Sequence, residues 1–228
     1  MSLNTLQSVT ELAINQLKTL ADKHPGNIVF STSLGQEDQV ITDMIARHDL
    51  QIQLFSLDTG RLFSETYELF DRTRSRYQLP IKVYFPDADK IEAFVNEKGL
   101  NSFYESVENR KACCSIRKVL PLKRALAGNE IWVTGLRAGQ SQARQELPQE
   151  EWDEANQITK FHPLLHWSLD QVQNYLDTYK VPHNSLHKKG FISIGCAPCT
   201  RAIEPGEDPR AGRWWWEQSQ KECGLHAK

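Results

Sequence analysis

Short apolar runs alternate along this chain with longer segments in which apolar residues recur at helical spacing. Such short runs are typical of buried strands, and we predict four of them, at residues 27–31, 51–57, 81–85 and 130–134. Because helical segments separate these strands, consecutive strands are expected to form βαβ units and to run parallel. The chain is therefore predicted to be an α/β protein with a doubly wound, mainly parallel sheet.

The predicted helices cover residues 6–20, 37–47, 63–77, 90–97, 115–127 (interrupted by Pro121) and 168–179 (with Ser168 as the N-cap). Two stretches have no clear periodicity, namely residues 135–157 and the chain after about Pro182. In open parallel sheets, ligands bind beyond the carboxyl ends of the strands, where loops carry the functional residues. We therefore expect the chemistry of this protein in those two stretches.

The composition excludes several classes of protein. With 228 residues, 39% of them hydrophobic and 25% charged, the chain resembles a soluble globular domain. No apolar run approaches the roughly 18–20 residues that a membrane span needs, and the first residues lack the pattern of a signal peptide. A net charge of -2 gives no reason to expect nucleic acid as a partner. We expect a cytoplasmic protein without membrane or nucleic-acid partners, and the sequence leaves homo-oligomerisation open.

Four of the five cysteines form two close pairs, Cys113-Cys114 and Cys196-Ala197-Pro198-Cys199. In a chain without a secretory signal, such pairs indicate metal or redox chemistry more often than structural disulfides. A zinc site, a redox-active C-x-x-C disulfide, an iron–sulfur cluster and plain buried packing all remain open. The adjacent pair favours the cluster, because its irons lie apart and neighbouring thiolates can bind different irons.

The fifth cysteine, Cys223, lies alone near the end of the chain beside Gly224. We predict that it sits in an exposed, mobile tail. The reactive form of cysteine is the thiolate, which Lys221 and His226 would favour and Glu222 would oppose. Cys223 is therefore either a reactive thiol or an unused surface thiol.

Cations are concentrated in two parts of the chain. Residues 110–124 contain six Lys and Arg side chains and no acidic residue, which indicates either a solvated helix face or a surface that faces an anion. Arg137 and Arg144 follow the fourth strand, and Arg210 and Arg213 precede three consecutive tryptophans. Arginine binds phosphate or sulfate oxygens with two parallel hydrogen bonds, although these segments also suit an apolar strap with scattered surface arginines.

The loop STSLGQED after the first strand opens a helix, where backbone N–H groups and the helix dipole bind phosphate. It lacks the lysine of a P-loop and the glycine spacing of a dinucleotide-binding loop. Alone, it is a weak indication of nucleotide binding.

Together these segments resemble one family. STSLGQEDQV, LDTGRLFSETY, NRKACCSIRKVLPL, WVTGLRAGQS and GCAPCTRAIEPGEDPRAGRWWWEQSQKECGLH are similar to assimilatory adenylyl-sulfate reductases. The resemblance implies the adenine-nucleotide α-hydrolase-like fold, with an irregular C-terminal tail. In ATP-splitting relatives the first loop is S-G-G-x-D-S, so STSLGQED is expected of a relative that no longer splits ATP.

The resemblance also implies roles for individual residues. A [4Fe-4S] cluster would be held by Cys113, Cys114, Cys196 and Cys199. Cys223 would be the nucleophile that takes sulfite from adenosine 5′-phosphosulfate, and thioredoxin would release it through a transient mixed disulfide at Cys223. The phosphosulfate would lie among Lys118, Arg144 (or Arg137), Arg210 and Arg213, with the nucleotide near Ser31, Ser33, Asp58, Thr59 and Gly60. Residues 1–204 would form the nucleotide-binding domain with the iron–sulfur site, and residues 205–228 the tail.

Three alternatives remain. The substrate could be the 3′-phosphorylated phosphosulfate, alone or in addition, although reductases of that kind usually lack the cluster cysteines. The chain could be an ATP-dependent adenylating or tRNA-thiolating enzyme, against which the altered first loop counts. It could also be a non-catalytic iron–sulfur or zinc module.

Overall fold

The structure of the protein, a computed structural model, describes residues 3–217. It contains one six-stranded sheet in the order β3-β2-β1-β4-β6-β5. The strands are β1 (Ile28–Ser31), β2 (Gln53–Leu57), β3 (Ile81–Tyr84), β4 (Ile131–Val133), β5 (Glu150–Asp153) and β6 (Ile158–Phe161). Strand β1 pairs parallel with β2 and β4, and β4 pairs parallel with β6, whereas β5 runs antiparallel to β6.

The helices are α1 (Leu3–Lys23), α2 (Gln36–Arg47), α3 (Ser64–Tyr77), α4 (Ala88–Lys98), α5 (Val107–Cys114), α6 (Leu120–Leu126) and α7 (Leu169–Thr178). Helix α7 begins as predicted, since the Ser168 side chain accepts a hydrogen bond from Gln171 N. Pro121 lies in the first turn of α6, directly after a π-helical turn at Ser115–Val119, so the predicted helix at residues 115–127 changes from π-helical to α-helical geometry next to the proline.

The predicted α/β class and the mainly parallel sheet are confirmed, and all four predicted strands are present. Two strands escaped prediction. β5 lies inside the stretch without periodicity, and β6 carries the charged Lys160 in a buried position. The Lys160 ammonium is 2.7 Å from Asp153 Oδ2 and lies 5.2 Å from the centre of the Trp132 ring. These contacts allow a charge where the sequence pattern requires an apolar side chain.

The chain forms two compact units. One, here called the sheet unit, comprises the chain up to Ser56 together with Ser64–Lys82 and Gly128–Ser185. The other, the cysteine unit, comprises Leu57–Phe63, Val83–Ala127 and the chain from Leu186 onwards. Each is described separately below.

The sheet unit contains the main hydrophobic core. Side chains from α1, α2 and α7 pack with those of β1 and β4, among them the fully buried Leu17, Phe30, Met44, Val133 and Val172. Hydrogen bonds to one buried carboxylate join three helices inside this unit. Asp43 accepts from the hydroxyls of Tyr77 and Tyr175, each at 2.8 Å. The core therefore holds α2, which begins directly after the first loop, in a fixed position.

The cysteine unit has less regular structure. After Cys199, residues 201–217 contain neither helix nor strand, and their one ladder contact is the isolated bridge between Thr200 and Arg213. The predicted irregular tail is confirmed for this described part. No helix within residues 3–217 is long and apolar enough to cross a membrane.

Candidate functional site

Four cysteines of the cysteine unit line one cavity. Cys113 and Cys114 are the last residues of α5. Cys196 and Cys199 flank a single 3-10 turn, which is closed by a 3.0 Å hydrogen bond from Cys199 N to Cys196 O. None of these four cysteines forms a disulfide. The space they surround is about 370 Å³, including its opening to solvent, so the fold brings the two predicted pairs together.

A π-helical turn at Ser115–Val119 directly follows the first cysteine pair. Single π-helical turns inside helical runs are frequent at functional sites. Residues four apart along a helix share a face, so Lys118 lies on the side of Cys114, and both line the cavity. The basic segment predicted either to be solvated or to face an anion therefore turns part of its charge towards the thiols.

Four cationic side chains line the same cavity, namely those of Arg61, Arg110, Arg117 and Lys118. Burial raises the pKa of Cys113, and the charge of Arg117 opposes that shift. Burial also raises the pKa of Cys199 to about 12, with Cys196 adding to the shift and Lys118 opposing it. These thiols therefore keep their protons unless a metal takes the place of the protons.

The donor set fits a thiolate-bound metal cluster. Cysteine thiolates are the ligands of iron–sulfur clusters, and the cations in the cavity wall offset the negative charge that four thiolates bring. Among residues 3–217, no three His, Cys, Asp or Glu side chains converge closely enough to hold a single metal ion.

The turn Asp58-Thr59-Gly60 lies in the first segment of the cysteine unit and contacts its second and third segments. Gly60 N donates to Asp58 Oδ1 at 2.7 Å, and Gly60 takes a positive φ of 69°, which favours glycine. Thr59 O accepts from the Arg117 guanidinium at 2.6 Å, and Thr59 Oγ1 is 3.3 Å from Cys196 Sγ. The turn predicted to lie near the nucleotide is therefore fixed to the cysteine site.

The two tail arginines differ in their surroundings. Arg213 is buried, donates to Ser193 Oγ at 3.2 Å and lies 4.8 Å from the centre of the Trp214 ring. A Cβ at Gly195 would collide with the Arg213 guanidinium, so the present position of this arginine uses the absence of a side chain there. Arg210 is half-buried, and its backbone N donates to Asp208 Oδ1 at 2.8 Å.

A buried ion pair fixes the end of the described chain. Arg110 donates two hydrogen bonds of 2.9 Å to the two carboxylate oxygens of Glu217, and both side chains are 5% exposed. The Arg110 guanidinium also lies 4.8 Å from the centre of the Trp214 ring. Cys223 lies outside the described residues, and its role stays a prediction.

In the sheet unit, the loop after β1 is organised by one carboxylate. Asp38 Oδ2 accepts from Ser33 N at 2.6 Å and from Ser33 Oγ at 2.7 Å. Burial raises the pKa of Asp38 to about 6, and the hydrogen bonds from Ser33 oppose that shift. A Cβ at Gly135 would lie 2.1 Å from Asp38 Oδ1, so only glycine allows the loop after β4 to approach so closely.

The other predicted residues of the sheet unit also have protein partners. Ser31 Oγ accepts a 2.8 Å hydrogen bond from Trp132 Nε1. Arg137 donates to Glu37 Oε1 at 2.8 Å and to the Trp167 carbonyl at 3.2 Å. Arg144 is buried and donates to the Gln140 side chain.

Sequence reasoning missed several residues of these sites. Arg61 lines the cysteine cavity, and its place in the segment LDTGRLFSETY was the available signal. His162 is fully buried, with Nδ1 2.7 Å from Thr134 Oγ1. Burial, followed by the charges of Lys160 and Arg144, lowers the pKa of His162 to about 4. Lys160 and His162, two residues apart at the end of the short strand β6, were the available signal.

The predicted residues are thus divided between the units. The cysteine unit contains Cys113, Cys114, Lys118, Cys196, Cys199, Asp58, Thr59, Gly60, Arg210 and Arg213. The sheet unit contains Ser31, Ser33, Arg137 and Arg144.

The solved structures most informative here share the fold. The phosphoadenylyl-sulfate reductase of Candida auris, in a phosphate complex, superposes with a TM-score of 0.70 at 29% identity, covering 89% of this chain and 98% of that chain. The FMN adenylyltransferase of Candida glabrata gives 0.61 at 18% identity, covering 93% of this chain and 71% of that chain. The predicted adenine-nucleotide α-hydrolase-like fold is confirmed.

Sequence comparison is more specific. The phosphoadenosine phosphosulfate reductase domain matches residues 27–202. The adenosine 5′-phosphosulfate reductase of Allochromatium vinosum is 51% identical over 229 residues, covering 100% of this chain and 89% of that protein. That of Burkholderia cepacia is 52% identical over 211 residues, covering 92% of this chain and 84% of that protein. With the paired cysteines in one cationic cavity, this similarity shows that the chain belongs to the adenosine 5′-phosphosulfate reductase family.

Proposed function

We propose that this protein reduces adenosine 5′-phosphosulfate to sulfite and AMP in the cytoplasm, as a step of sulfate assimilation towards cysteine. The observation that carries the proposal is the cavity lined by both cysteine pairs and four cations. An enzyme of this kind needs positive charge around a doubly anionic substrate and a thiol that attacks its sulfur. The family to which the chain belongs supplies the substrate class.

In this proposal the resident cofactor is a [4Fe-4S] cluster held by Cys113, Cys114, Cys196 and Cys199. Such a cluster, when bound, supplies a fixed negative charge against which the surrounding cations are ordered. Lys118 would thereby be held at the cavity wall, available to a sulfate oxygen. Arg117 keeps its contact with the Thr59 carbonyl and so holds the neighbouring turn.

The first half-reaction is an attack by the Cys223 thiolate on the sulfur of the phosphosulfate. The bond between that sulfur and the bridging oxygen breaks, and AMP leaves with the electron pair. Cys223 then carries the sulfonate as a thiosulfonate. Lys118, Arg144, Arg210 and Arg213 would offset the negative charge of the sulfate oxygens during this transfer. The last residues of the predicted 205–228 tail, beyond the Glu217 ion pair, would bring Cys223 to the substrate.

Between the two loop arginines, we assign the substrate contact to Arg144. The guanidinium of Arg137 already forms an ion pair with Glu37, and a second hydrogen bond fixes it to the Trp167 carbonyl. Arg144, which donates to the Gln140 side chain, is the residue that the family resemblance places at the phosphosulfate. In the same unit, Ser31 and Ser33 would contact the nucleotide.

The second half-reaction needs a thiol from another protein, for which we propose thioredoxin. Its thiolate attacks Cys223 Sγ and sulfite leaves, so that a mixed disulfide joins the two proteins. The second thiolate of the partner then releases Cys223, and the partner departs as a disulfide. The substrate sulfur gains the electron pair that the two thiols of the partner lose.

A second candidate substrate is the 3′-phosphorylated phosphosulfate. It is favoured by the fold-level match to the Candida auris phosphoadenylyl-sulfate reductase at 29% identity. The paired cysteines and the higher identity to adenosine 5′-phosphosulfate reductases favour the unphosphorylated substrate.

One experiment tests the proposal. The protein is purified without oxygen, its visible spectrum and its iron and zinc contents are recorded, and sulfite release from both phosphosulfates is assayed with reduced thioredoxin. We expect about four irons per chain and a clear preference for the unphosphorylated substrate. Zinc in place of iron would contradict the cofactor, and equal rates with both substrates would contradict the specificity.

A further inference from the structure

Three large apolar side chains of the cysteine unit are exposed close to its cavity. Leu100 is 65% exposed, Tyr104 41% and Trp215 40%. The rings of Tyr104 and Trp215 have centroids 6.2 Å apart, and the Leu100 carbonyl accepts from Arg61, which lines the cavity. We call these three residues the apolar patch. Grouped apolar exposure of this kind marks interaction sites more often than isolated surface residues do.

Contacts with neighbouring residues hold the two aromatic side chains of the patch in place. The Tyr104 hydroxyl donates to the Pro198 carbonyl at 2.6 Å, within the second cysteine motif. The rings of Tyr104 and Trp215 both pack against Trp216, with centroids 4.5 and 4.9 Å away. A preformed surface of aromatic side chains loses little conformational entropy when it binds a partner. Tyr104 and Trp215 are therefore held in exposed positions by contacts with Trp216 and with the second cysteine motif.

Chain length connects the patch to the proposed nucleophile. Trp215 is in the patch, and Glu217 is fixed by its ion pair with Arg110. Cys223 follows Glu217 by six residues. At no more than about 3.6 Å per residue, Cys223 stays within about 22 Å of Glu217 in any conformation. A protein that attacks Cys223 must therefore come close to the patch.

We propose that the apolar patch is the docking surface for the dithiol protein that reduces the Cys223 thiosulfonate. This inference rests on the proposed function. The partner must present a nucleophilic thiol on a surface with a complementary apolar rim, because the patch offers aromatic and aliphatic contacts. In the step it serves, the partner thiolate forms a disulfide bond with Cys223 Sγ as the bond to the sulfonate sulfur breaks. Sulfite leaves with the electron pair, and the second partner thiol completes the two-electron oxidation of the partner.

The test compares a protein reductant with a small one. Leu100→Ser and Trp215→Ala are each assayed for sulfite release with thioredoxin and with dithiothreitol, a small dithiol that needs no docking surface. We expect the KM for thioredoxin to rise about tenfold while the dithiothreitol rate and the burst of AMP stay within about twofold. Circular dichroism and iron content verify that each variant folds and retains its cofactor.

The sheet unit provides matched controls. Leu12 is 58% exposed and Trp152 is 56% exposed. Leu12→Ser and Trp152→Ala therefore make the same chemical changes on another surface, and neither should alter the KM for thioredoxin. An equal rise in these controls would show a general surface effect and overturn the proposal.

Two further outcomes would overturn it. If both reductants slow equally in the patch variants, or if the AMP burst falls, the patch supports residues 218–228 of this chain and not a partner. If neither reductant is affected, the patch has no part in the second half-reaction. Failure of the proposed function is distinct from these outcomes, since the unaltered protein would then release no AMP from the phosphosulfate.

Discussion

In the sheet unit, the predicted site residues are satisfied by partners within the protein: Ser33 by Asp38, Ser31 by Trp132 and Arg137 by Glu37. In the cysteine unit, thiols and cations face a common cavity, although Arg110 also pairs with Glu217, and burial raises the pKa values of Cys113 and Cys199. The first arrangement fixes the shape of loops before a ligand arrives. The second depends on a bound group to complete its charge balance.

The largest expected effect separates the two kinds of cysteine in the proposal. Cys196→Ser removes a cavity ligand, so we expect loss of iron and of visible absorbance together with activity. Cys223→Ser, the matched change at the proposed nucleophile, should retain iron and AMP binding while turnover falls by more than about a thousandfold. Metal analysis and calorimetric titration with AMP check both variants. Full iron content in Cys196→Ser, or turnover in Cys223→Ser, would contradict the division of roles.

Breaking the ion pair of Glu217 tests how far the cysteine unit depends on buried charge. Glu217→Gln leaves the Arg110 guanidinium buried against a neutral partner, and we expect a loss of about 1–3 kcal/mol in the free energy of unfolding. Glu207 forms a similar two-bond pair with Arg201, but those side chains are 33% and 37% exposed. Glu207→Gln should therefore lower the free energy of unfolding by much less than Glu217→Gln does. Urea denaturation measures the free energy of unfolding of both variants. Equal losses would contradict the expectation that burial makes the Glu217 ion pair more important than the Glu207 pair.

The sheet unit is expected to respond to pH through Asp38. Its pKa is about 6 in the folded protein against an ordinary value of 3.8, so the folded state holds this proton more tightly than the unfolded state does. The stabilisation of the folded state by the bound proton of Asp38 is complete below about pH 4. It is lost as the pH rises through about 6. Asp38→Asn should remove this part of the pH dependence in urea denaturation series. The same change at Asp22, which is exposed on α1, should leave it in place.

Sequence predicts those parts of the fold in which the apolar or polar character of each residue matches its burial. Strand β1 is predictable because Ile28, Val29 and Phe30 are apolar residues and all three are buried. Strand β6 is not, because the burial of Lys160 depends on Asp153, which belongs to the neighbouring strand. Hydrogen-bond partners such as these are fixed by strand pairing, and local pattern contains no record of them.

Sequence predicts only part of the candidate site. The paired cysteines are visible as motifs, and the resemblance assigns them to one site in advance of any geometry. Arg61 and the contact between Asp38 and Gly135 depend on how distant segments meet. The motif therefore predicts the ligands, whereas the residues that set their charge and the shape of the loops need the structure.

The smallest expected effect concerns the hydroxyl of Ser31. Indole N–H groups only donate, so Ser31 Oγ must accept from Trp132, and its own hydrogen remains to be directed at an acceptor such as the nucleotide. Trp132→Phe keeps most of the ring and removes this constraint, so we expect AMP binding to weaken by about 1 kcal/mol, or roughly fivefold. Trp152→Phe is the matched control, because the Trp152 indole donates to Glu154 at the surface. If Ser31→Ala is already present, Trp132→Phe should cost no further affinity, since the two changes remove the same interaction. Additive losses in this double-mutant cycle would mean that Trp132 acts through ring packing and not through Ser31.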